Sequence, residues 1–402
     1  MAVNVKVGLI GPLDMLKFKN MAKVREQAIQ AAPAKEITGE FSINKLAKEL
    51  HPDFQKLVVK EIIDRGEANA KTFVLARPDG KPVPYFRAGQ YLSLKLELDG
   101  SAITRPYSIS SAPAKALMGT YEVTIKSNPG GFAADKLLAG LKVGDAVTAS
   151  DPQGNFYYEN LRDPKQVIAL AGGSGVTPFL SMAHAIQDGA EDFNLTLIYG
   201  CKTKASILFE EEFNAIAAAC PKFKVVYVLD SEEVAGYEQG FITAELIRKY
   251  APAEEYSIFV SGPEAMMRFM KKELAALELP RRLMRYEMMP VPKQVSAMPG
   301  YPAEAAGKTF TLKVRQGDLS WEIPAKAEET ILVALERAGI KAPSRCRSGE
   351  CGWCRSKLVA GTFFVAEDNE FRRFNDIEFN YIHPCCSFPT SDLELEVPGE
   401  YL

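Results

Sequence analysis

One stretch near the carboxyl end constrains this chain more than any other: Cys346-Arg-Ser-Gly-Glu-Cys351-Gly-Trp-Cys354, with Cys385 and Cys386 about thirty residues on. Three cysteines spaced C-x4-C-x2-C and a distant fourth match a loop wrapped around one side of a [2Fe–2S] cluster and closed from the far side. Four thiolates must converge on two irons while backbone amides turn inward to the cluster's negative sulfurs. Gly349 and Gly352 suit such a loop, because a backbone curled round an inorganic core needs dihedrals that only glycine adopts cheaply. Zinc is the main competitor, but structural zinc sites favour two C-x2-C knuckles and only one pair here has that spacing. A disulfide reading is weaker, since clustered cysteines without a secretory leader more often bind metal or do catalysis.

These residues resemble the plant-type ferredoxin domain, and the resemblance extends past the cysteines. Phe310–Val314 and Leu319–Ile323 read as a hairpin about Gly317, Thr330–Ala338 as the helix before the loop, and Phe388-Pro-Thr-Ser-Asp392 as the family's tail. In such tails the last ligand lies four residues before the proline, which from Pro389 gives Cys385. The resemblance therefore implies Cys346, Cys351, Cys354 and Cys385 as metal ligands in an α+β, β-grasp domain over 308–402, with Cys386 packed as a small apolar residue.

The 402 residues are enough for two or three domains, and a formal net charge of −3 gives no global drive toward nucleic acid or an anionic membrane. No apolar run approaches the length that spans a bilayer. Val7–Ile10 is too short for a signal peptide and is followed by Pro12 and Asp14, so the expected compartment is the cytoplasm. Cys201 and Cys220 are left over as packing residues.

Residues 1–53 read as a helical N-terminal extension. Leu13, Leu16, Met21, Val24 and Ala28 approximate one helical face, and Ser42 is placed to cap a second short helix ending before His51-Pro52. Such an extension packs on its own protein or docks a partner. From about Leu57 the period shifts to two, in Leu57–Ile62, Thr72–Ala76, Tyr91–Leu96, Tyr121–Ile125 and Ala146–Ala149, which predicts an antiparallel β-barrel over 54–160.

Within it, Arg105-Pro106-Tyr107-Ser108-Ile-Ser110, preceded by Ala88-Gly-Gln-Tyr91, is similar to the flavin-binding barrel of the ferredoxin–NADP reductase family. That resemblance puts Arg105 on a flavin phosphate, Tyr107 against the isoalloxazine and Ser108 near the reactive flavin nitrogen. A guanidinium forks onto phosphate, an aromatic face stacks on a planar ring, and a small hydroxyl leaves room for hydride. The family's second phosphate loop corresponds to Gly130-Gly131-Phe132-Ala-Ala134, without the usual terminal hydroxyl. FAD and FMN both stay open, with Arg105–Ser110 closer to the FAD enzymes.

After about Pro164 the pattern becomes strand, glycine turn, helix: Val167–Ala171, Gly172-Gly173-Ser174-Gly175-Val-Thr177-Pro178, then Phe179–Gln187. Such a turn brings bare backbone and a helix N-terminus to an anion, with Pro178 suited to the first helical turn. Leu195–Gly200, Val225–Leu229 and Ser257–Val260 are further buried-type strands, giving an α/β nucleotide-binding domain with a parallel sheet over 161–287. The G-x-G-x-x-P form resembles the nicotinamide half of the same reductases. By that resemblance Ser261, Gly262 and Pro263 stand where the family usually carries Cys-Gly-Pro beside the nicotinamide, and Glu287 where it often places a carboxylate.

Lys202 and Lys204 suit either a 2′-phosphate or solvent, and analogy favours NADH over NADPH. The methionines between Met266 and Met289 read as core filling. Residues 288–307, rich in proline and alanine without a period, read as an interdomain linker.

A nicotinamide gives two electrons together, a [2Fe–2S] cluster takes one at a time, and a flavin between them does both. The order flavin barrel, nucleotide domain, ferredoxin domain thus implies an NAD(P)H-dependent oxidoreductase for electron transport. It would pass hydride to FAD or FMN, then single electrons through the cluster to a partner redox protein or oxygenase. Tyr107, Ser108, Ser261 and Glu287 are the catalytic expectation. The alternative is an electron-wiring or docking subunit of a larger redox complex, poorly active alone.

Overall fold

A computed structural model describes residues 12–32, 41–98, 100–128 and 130–399. The chain divides into two compact units, Met1–Lys48 and Glu49–Leu402. In the first, α1 (Pro12–Ala31) and α2 (Ser42–Leu50) are helical as the sequence predicts, and their described side chains are exposed. Val7–Ile10, and the side chains of Leu13 and Leu16 on the predicted face, lie outside the described residues.

The second unit opens with an antiparallel sheet of β1 (Phe54–Asp64), β2 (Ala70–Ala76), β3 (Tyr91–Leu98), β4 (Ser101–Ser108), β5 (Thr120–Lys126) and β6 (Ala146–Ser150), in the order β4-β3-β6-β1-β2-β5. The two ends of that order meet. Ile109 bridges Val123, and Ser110 N donates to Glu122 O (2.8 Å), so β4 runs on into β5 and the sheet curls shut. Two short helices lie at its rim, α3 (Ala114–Leu117) and α4 (Ala134–Gly140). Leu57, Phe73, Leu75, Leu92, Leu94, Ile109, Tyr121 and Val123 fill the interior from alternate strand positions. Each such side chain contributes roughly 1.5–3 kcal/mol.

Next comes an all-parallel sheet. Its strands are β7 (Gln166–Gly172), β8 (Asn194–Cys201), β9 (Phe223–Leu229), β10 (Glu238–Gln239), β11 (Tyr256–Ser261) and β12 (Met284–Tyr286), ordered β10-β9-β8-β7-β11-β12. Helices α5 (Thr177–Gln187), α6 (Glu210–Ala219), α7 (Ala244–Tyr250) and α8 (Glu264–Ala275) cover it. Val167, Ala169 and Ala171 of β7 join the core with Phe179 and Phe213, whereas Ile168 and Leu170 join Ile247, Met267 and Met270 on the other face. A strand buried on both faces reads as a continuous apolar run, as Val167–Ala171 does. Met267, Met270 and Met289 are core residues, as the sequence predicts. The core around Phe179 also takes in Ala88, Phe156 and Tyr158, so the barrel and the parallel sheet share apolar packing.

The last part pairs β13 (Thr309–Gln316) with β14 (Leu319–Lys326) antiparallel about Gly317, at φ +59°. Helix α9 (Ile331–Arg337) starts at Thr330, whose hydroxyl accepts from Val333 N (3.3 Å). Then come β15 (Ser356–Ala360), β16 (Phe363–Phe364), α10 (Phe374–Glu378), β17 (Tyr381–Ile382), β18 (Phe388–Pro389) and β19 (Leu393–Glu396). The five-stranded sheet runs β14-β13-β19-β15-β17, with β19 parallel to β13. The predicted linker 288–307 has only short 3-10 turns, yet Met289, Val295, Tyr301 and Ala305 are buried, the last three against Ala327 and Phe388. It is a packed strap rather than a loose spacer.

Candidate active site

Strand β4 sets the first half of the site. Its register against β3 pairs Tyr91 with Ser108 and Leu94 with Arg105. Ser108 Oγ donates to the Glu287 carboxylate, and Ser261 Oγ donates to its other oxygen. One carboxylate thus joins the end of β4, the end of β11 and the chain just beyond β12, where Glu287 N also donates to Val260 O (2.9 Å). Glu287 is partly exposed as a residue, but its carboxyl is surrounded by protein. Burial raises its pKa, and the two serine hydroxyls pull it back down. Three of the four predicted catalytic residues therefore converge, and Tyr107 is the next residue along β4.

Arg105 Nη1 donates to Thr104 O (2.8 Å), and among the described residues no carboxylate pairs with it. Burial, and then the charge of Arg347, push its pKa down to about 10. A guanidinium so placed fits an anion, because a phosphate would replace the lost hydration and offset the neighbouring cation. Pro106 follows it, half-buried. In the second predicted loop Gly130 has φ +77°, and Phe132 is 44% exposed beneath the Lys136 ammonium. Ser127, before the loop, bonds Asp135 (2.8 Å), so its hydroxyl is already engaged.

The nucleotide turns meet at the point where strand order reverses, between β7 and β11. A side chain on Gly175 would come within 2.5 Å of Ser261 O and 2.6 Å of Gly262 N, so only glycine permits this approach. Gly173 O accepts from Tyr199 Oη (2.8 Å), Thr177 Oγ1 bonds Ser174 O (3.1 Å), and Pro178 stands in the first turn of α5. Gly262 packs against Met266, and Pro263 precedes α8. Bare backbone and a helix start face one crevice, which fits a pyrophosphate. At the carboxyl ends of β8 and β9, Glu232 accepts from Lys204 N (2.8 Å), and an open cleft there is lined by Arg65, Lys204 and the acids Glu210, Glu211, Glu212 and Glu232.

The cysteine loop closes on itself. Cys346 Sγ accepts from Ser348 N (3.5 Å) and Cys351 N (3.4 Å), and Cys351 Sγ from Trp353 N (3.4 Å). The Cys346 thiol touches those of Cys351 and Cys385, and Cys385 also touches Cys354. The neighbouring Cys346 thiol, and then burial, hold Cys351 far above the ordinary thiol range. Four thiols in one chain of contacts, with amides aimed at sulfur, fit a cationic two-iron centre that would ionise them. Among the described residues no three metal-binding side chains converge as on a single ion.

Cys386 Sγ touches the Cys385 thiol but also lies toward the carbonyls of His383 (3.4 Å) and Asn369 (3.6 Å), beside Gly349. The adjacent cysteines thus have different surroundings.

Several residues of the site are not marked by any motif. Arg345 stacks its guanidinium 3.6 Å from the Trp353 ring, donates to Asp53 O (3.0 Å) and reaches Asp151 (3.5 Å), fixing the cysteine loop to the barrel. Ser344 bonds Thr104 of β4. Tyr91 pairs with Ser108 across β3 and β4, and burial, then the nearby Cys346 and Cys351, raise the pKa of its phenol. His383 Nδ1 bonds Gly349 O (2.7 Å), and its Nε2 lies 3.5 Å from Asp376. An arginine just before the loop was the one available signal; the rest are long-range contacts.

Three family models match the chain in series: an oxidoreductase FAD-binding domain over residues 56–158, an oxidoreductase NAD-binding domain over 169–272, and a 2Fe-2S iron-sulfur cluster binding domain over 314–390. The chain thus has the architecture of a flavin/NAD(P)H oxidoreductase with a C-terminal [2Fe–2S] domain. Its fold is that of phthalate dioxygenase reductase, with TM-score 0.62 and 23% identity over 86% of this chain and 98% of that one. The glycine betaine monooxygenase reductase subunit of Chromohalobacter salexigens is 28% identical over 78% of this chain and 87% of its own length. The ferredoxin reductase component of a 3-ketosteroid-9-alpha-monooxygenase from Mycobacterium tuberculosis is 29% identical over 84% and 94%.

Proposed function

We propose that the chain takes a hydride from NADH at the Ser108–Glu287–Ser261 junction and releases single electrons at the cysteine loop to a partner redox protein, with an oxygenase as the favoured acceptor class. The observation that carries this is the shared carboxylate, which ties the barrel strand bearing Tyr107 to the nucleotide crevice. When bound, the flavin supplies the conversion of a two-electron donor to one-electron delivery. The protein's part is placement. Arg105 and Pro106, with Gly130, Gly131 and Phe132, would hold the flavin phosphates; Tyr107 would cover the ring. Gly173, Ser174, Gly175, Thr177 and Pro178 would seat the pyrophosphate, and Gly262 and Pro263 would wall the nicotinamide. Glu287 would hold the hydroxyls of Ser108 and Ser261 in register where the barrel strand meets the nucleotide turns.

Cys346, Cys351, Cys354 and Cys385 are the proposed ligands. The division at 54–160, 161–287 and 308–402, after an extension of 1–53 and joined by 288–307, is supported by the sheet topology. NADH is favoured over NADPH because a 2′-phosphate near Lys204 would face Glu232 and its acidic neighbours. The cytoplasm is the proposed compartment; among the described residues no helix is long and apolar enough to cross a membrane. Relatives named as oxygenase reductase components support the acceptor class.

The test is turnover with ferricyanide by flavin-replete protein, with and without its cluster. NADH oxidation should persist in the cluster-free form and fall steeply with NADPH. No turnover in either form would favour the wiring-subunit alternative.

A further inference from the structure

Asn369 ends a 3-10 turn in the segment between β16 and α10, and it is 1% exposed. Its amide nitrogen donates twice, to Met289 O (2.9 Å) and to Ser348 O (3.2 Å). Met289 stands two residues after Glu287, and Ser348 lies inside the cysteine loop, where its own N–H points at Cys346. One amide group therefore spans from the chain leaving the nicotinamide-side carboxylate to the loop proposed to hold the cluster.

The surroundings make that link stiff. Asp368 pairs with Lys271 and with Arg268 (3.1 Å), both on α8, the helix that follows Gly262-Pro263. Asn369 O lies against Gly349, where any side chain would meet it at 2.7 Å. No apolar residue of similar volume would satisfy the carbonyls of Met289 and Ser348, and each buried carbonyl left bare is costly.

We propose that Asn369 is a positioning residue that couples occupation of the nicotinamide site to the geometry of the cysteine loop. Binding that shifts Glu287 or the strand end before it moves Met289, and Asn369 passes that movement to Ser348 and hence to the amides facing Cys346. The inference rests on the function proposed above.

The experiment uses the holoprotein, reduced anaerobically with dithionite and titrated with 1,4,5,6-tetrahydro-NAD, which fills a nicotinamide site but gives no hydride. The electron paramagnetic resonance spectrum of the reduced cluster should shift in the unaltered protein and stay fixed in Asn369→Asp, whose carboxylate cannot donate to either carbonyl. Rapid-mixing with NADH should show flavin reduction at the unaltered rate and cluster reduction slowed roughly 2- to 30-fold in the variant. If Asn369→Asp does not retain its cluster, Asn369→Ser, which can satisfy only one carbonyl, should at least halve the spectral shift. No shift in the unaltered protein, or an undiminished shift in the retained variant, overturns the coupling. Absence of flavin reduction by NADH in the unaltered protein would instead overturn the proposed function.

Discussion

The flavin–nucleotide junction and the cysteine loop hold their groups by opposite means. Ser108 and Glu287 are 179 residues apart in sequence, and they meet only because a barrel strand and a parallel sheet pack on a common apolar core. The cysteine loop draws three of its four proposed ligands from one short stretch and aims backbone amides at their sulfurs. A site built of side chains from distant elements should fail by degrees when one is changed. A site built of thiolates around one inorganic core should fail outright.

The sharpest way to break that contrast is at the adjacent cysteines. Cys385→Ser should abolish the electron paramagnetic resonance signal of the reduced cluster while nucleotide still reduces the flavin. Cys386→Ser should leave the signal close to unaltered, because its sulfur lies toward the carbonyls of Asn369 and His383. Loss in Cys386→Ser alone would show that the register is off by one residue, and the double variant controls for rescue by the neighbour.

Glu287→Gln tests the graded side. An amide can still accept from one serine but not from both as a carboxylate does, so NADH–ferricyanide turnover should drop by roughly 10²-fold. A pH arm separates placement from charge. Burial raises the folded-state pKa of Glu287 above its ordinary value of 4.5, so its contribution to stability is present below that value and is lost as pH rises through the folded value. Replacing it with glutamine removes that loss. The variant's melting temperature relative to the parent should therefore be higher at pH 8 than at pH 5, and an equal difference at both would mean that the carboxyl is not desolvated.

These contrasts also explain what could be read from the chain. Strands β7, β8 and β11 are legible as continuous apolar runs because both faces are buried, and the loop ligands because metal geometry fixes their spacing. Helix α9 is legible from Thr330, whose capping bond leaves a local signature. By contrast β10, β12 and β16–β18 are only two or three residues long, too short for any period. The strap 288–307 reads as a linker because its buried residues, Met289, Val295, Tyr301 and Ala305, recur at irregular intervals along a segment with only short 3-10 turns. Asn369 and His383 act through backbone carbonyls in distant elements, and nothing in residue type or spacing records such a partner.

A smaller effect is expected at Arg105. Arg105→Ala removes one charge-assisted phosphate contact, not core volume, so flavin affinity should weaken roughly 10- to 100-fold. Melting of the flavin-free protein should hardly change, and could rise, since a buried cation beside Arg347 is lost. Equilibrium dialysis with FAD and with FMN checks the first point and shows which flavin the site prefers. A variant that loses stability without losing flavin would move Arg105 from the phosphate site into the structural frame.

The least effect should follow removal of residues 1–40. Every residue proposed to hold flavin, nucleotide or iron lies in the unit Glu49–Leu402, and that unit has its own barrel, parallel sheet and five-stranded sheet. The first strand begins at Phe54, and the ion pair and carbonyl bond of Arg345 use Asp53, so the cut spares both. Flavin content, cluster signal and ferricyanide turnover of the truncated protein should stay within about twofold of the parent, the range of surface changes that touch no buried group. Exposed apolar side chains such as Ile43, Leu46 and Leu50 stand on one face of α2 at helical spacing, a pattern that carries no catalytic chemistry. Truncated protein that is insoluble or lacks flavin would show that the barrel needs the extension to close.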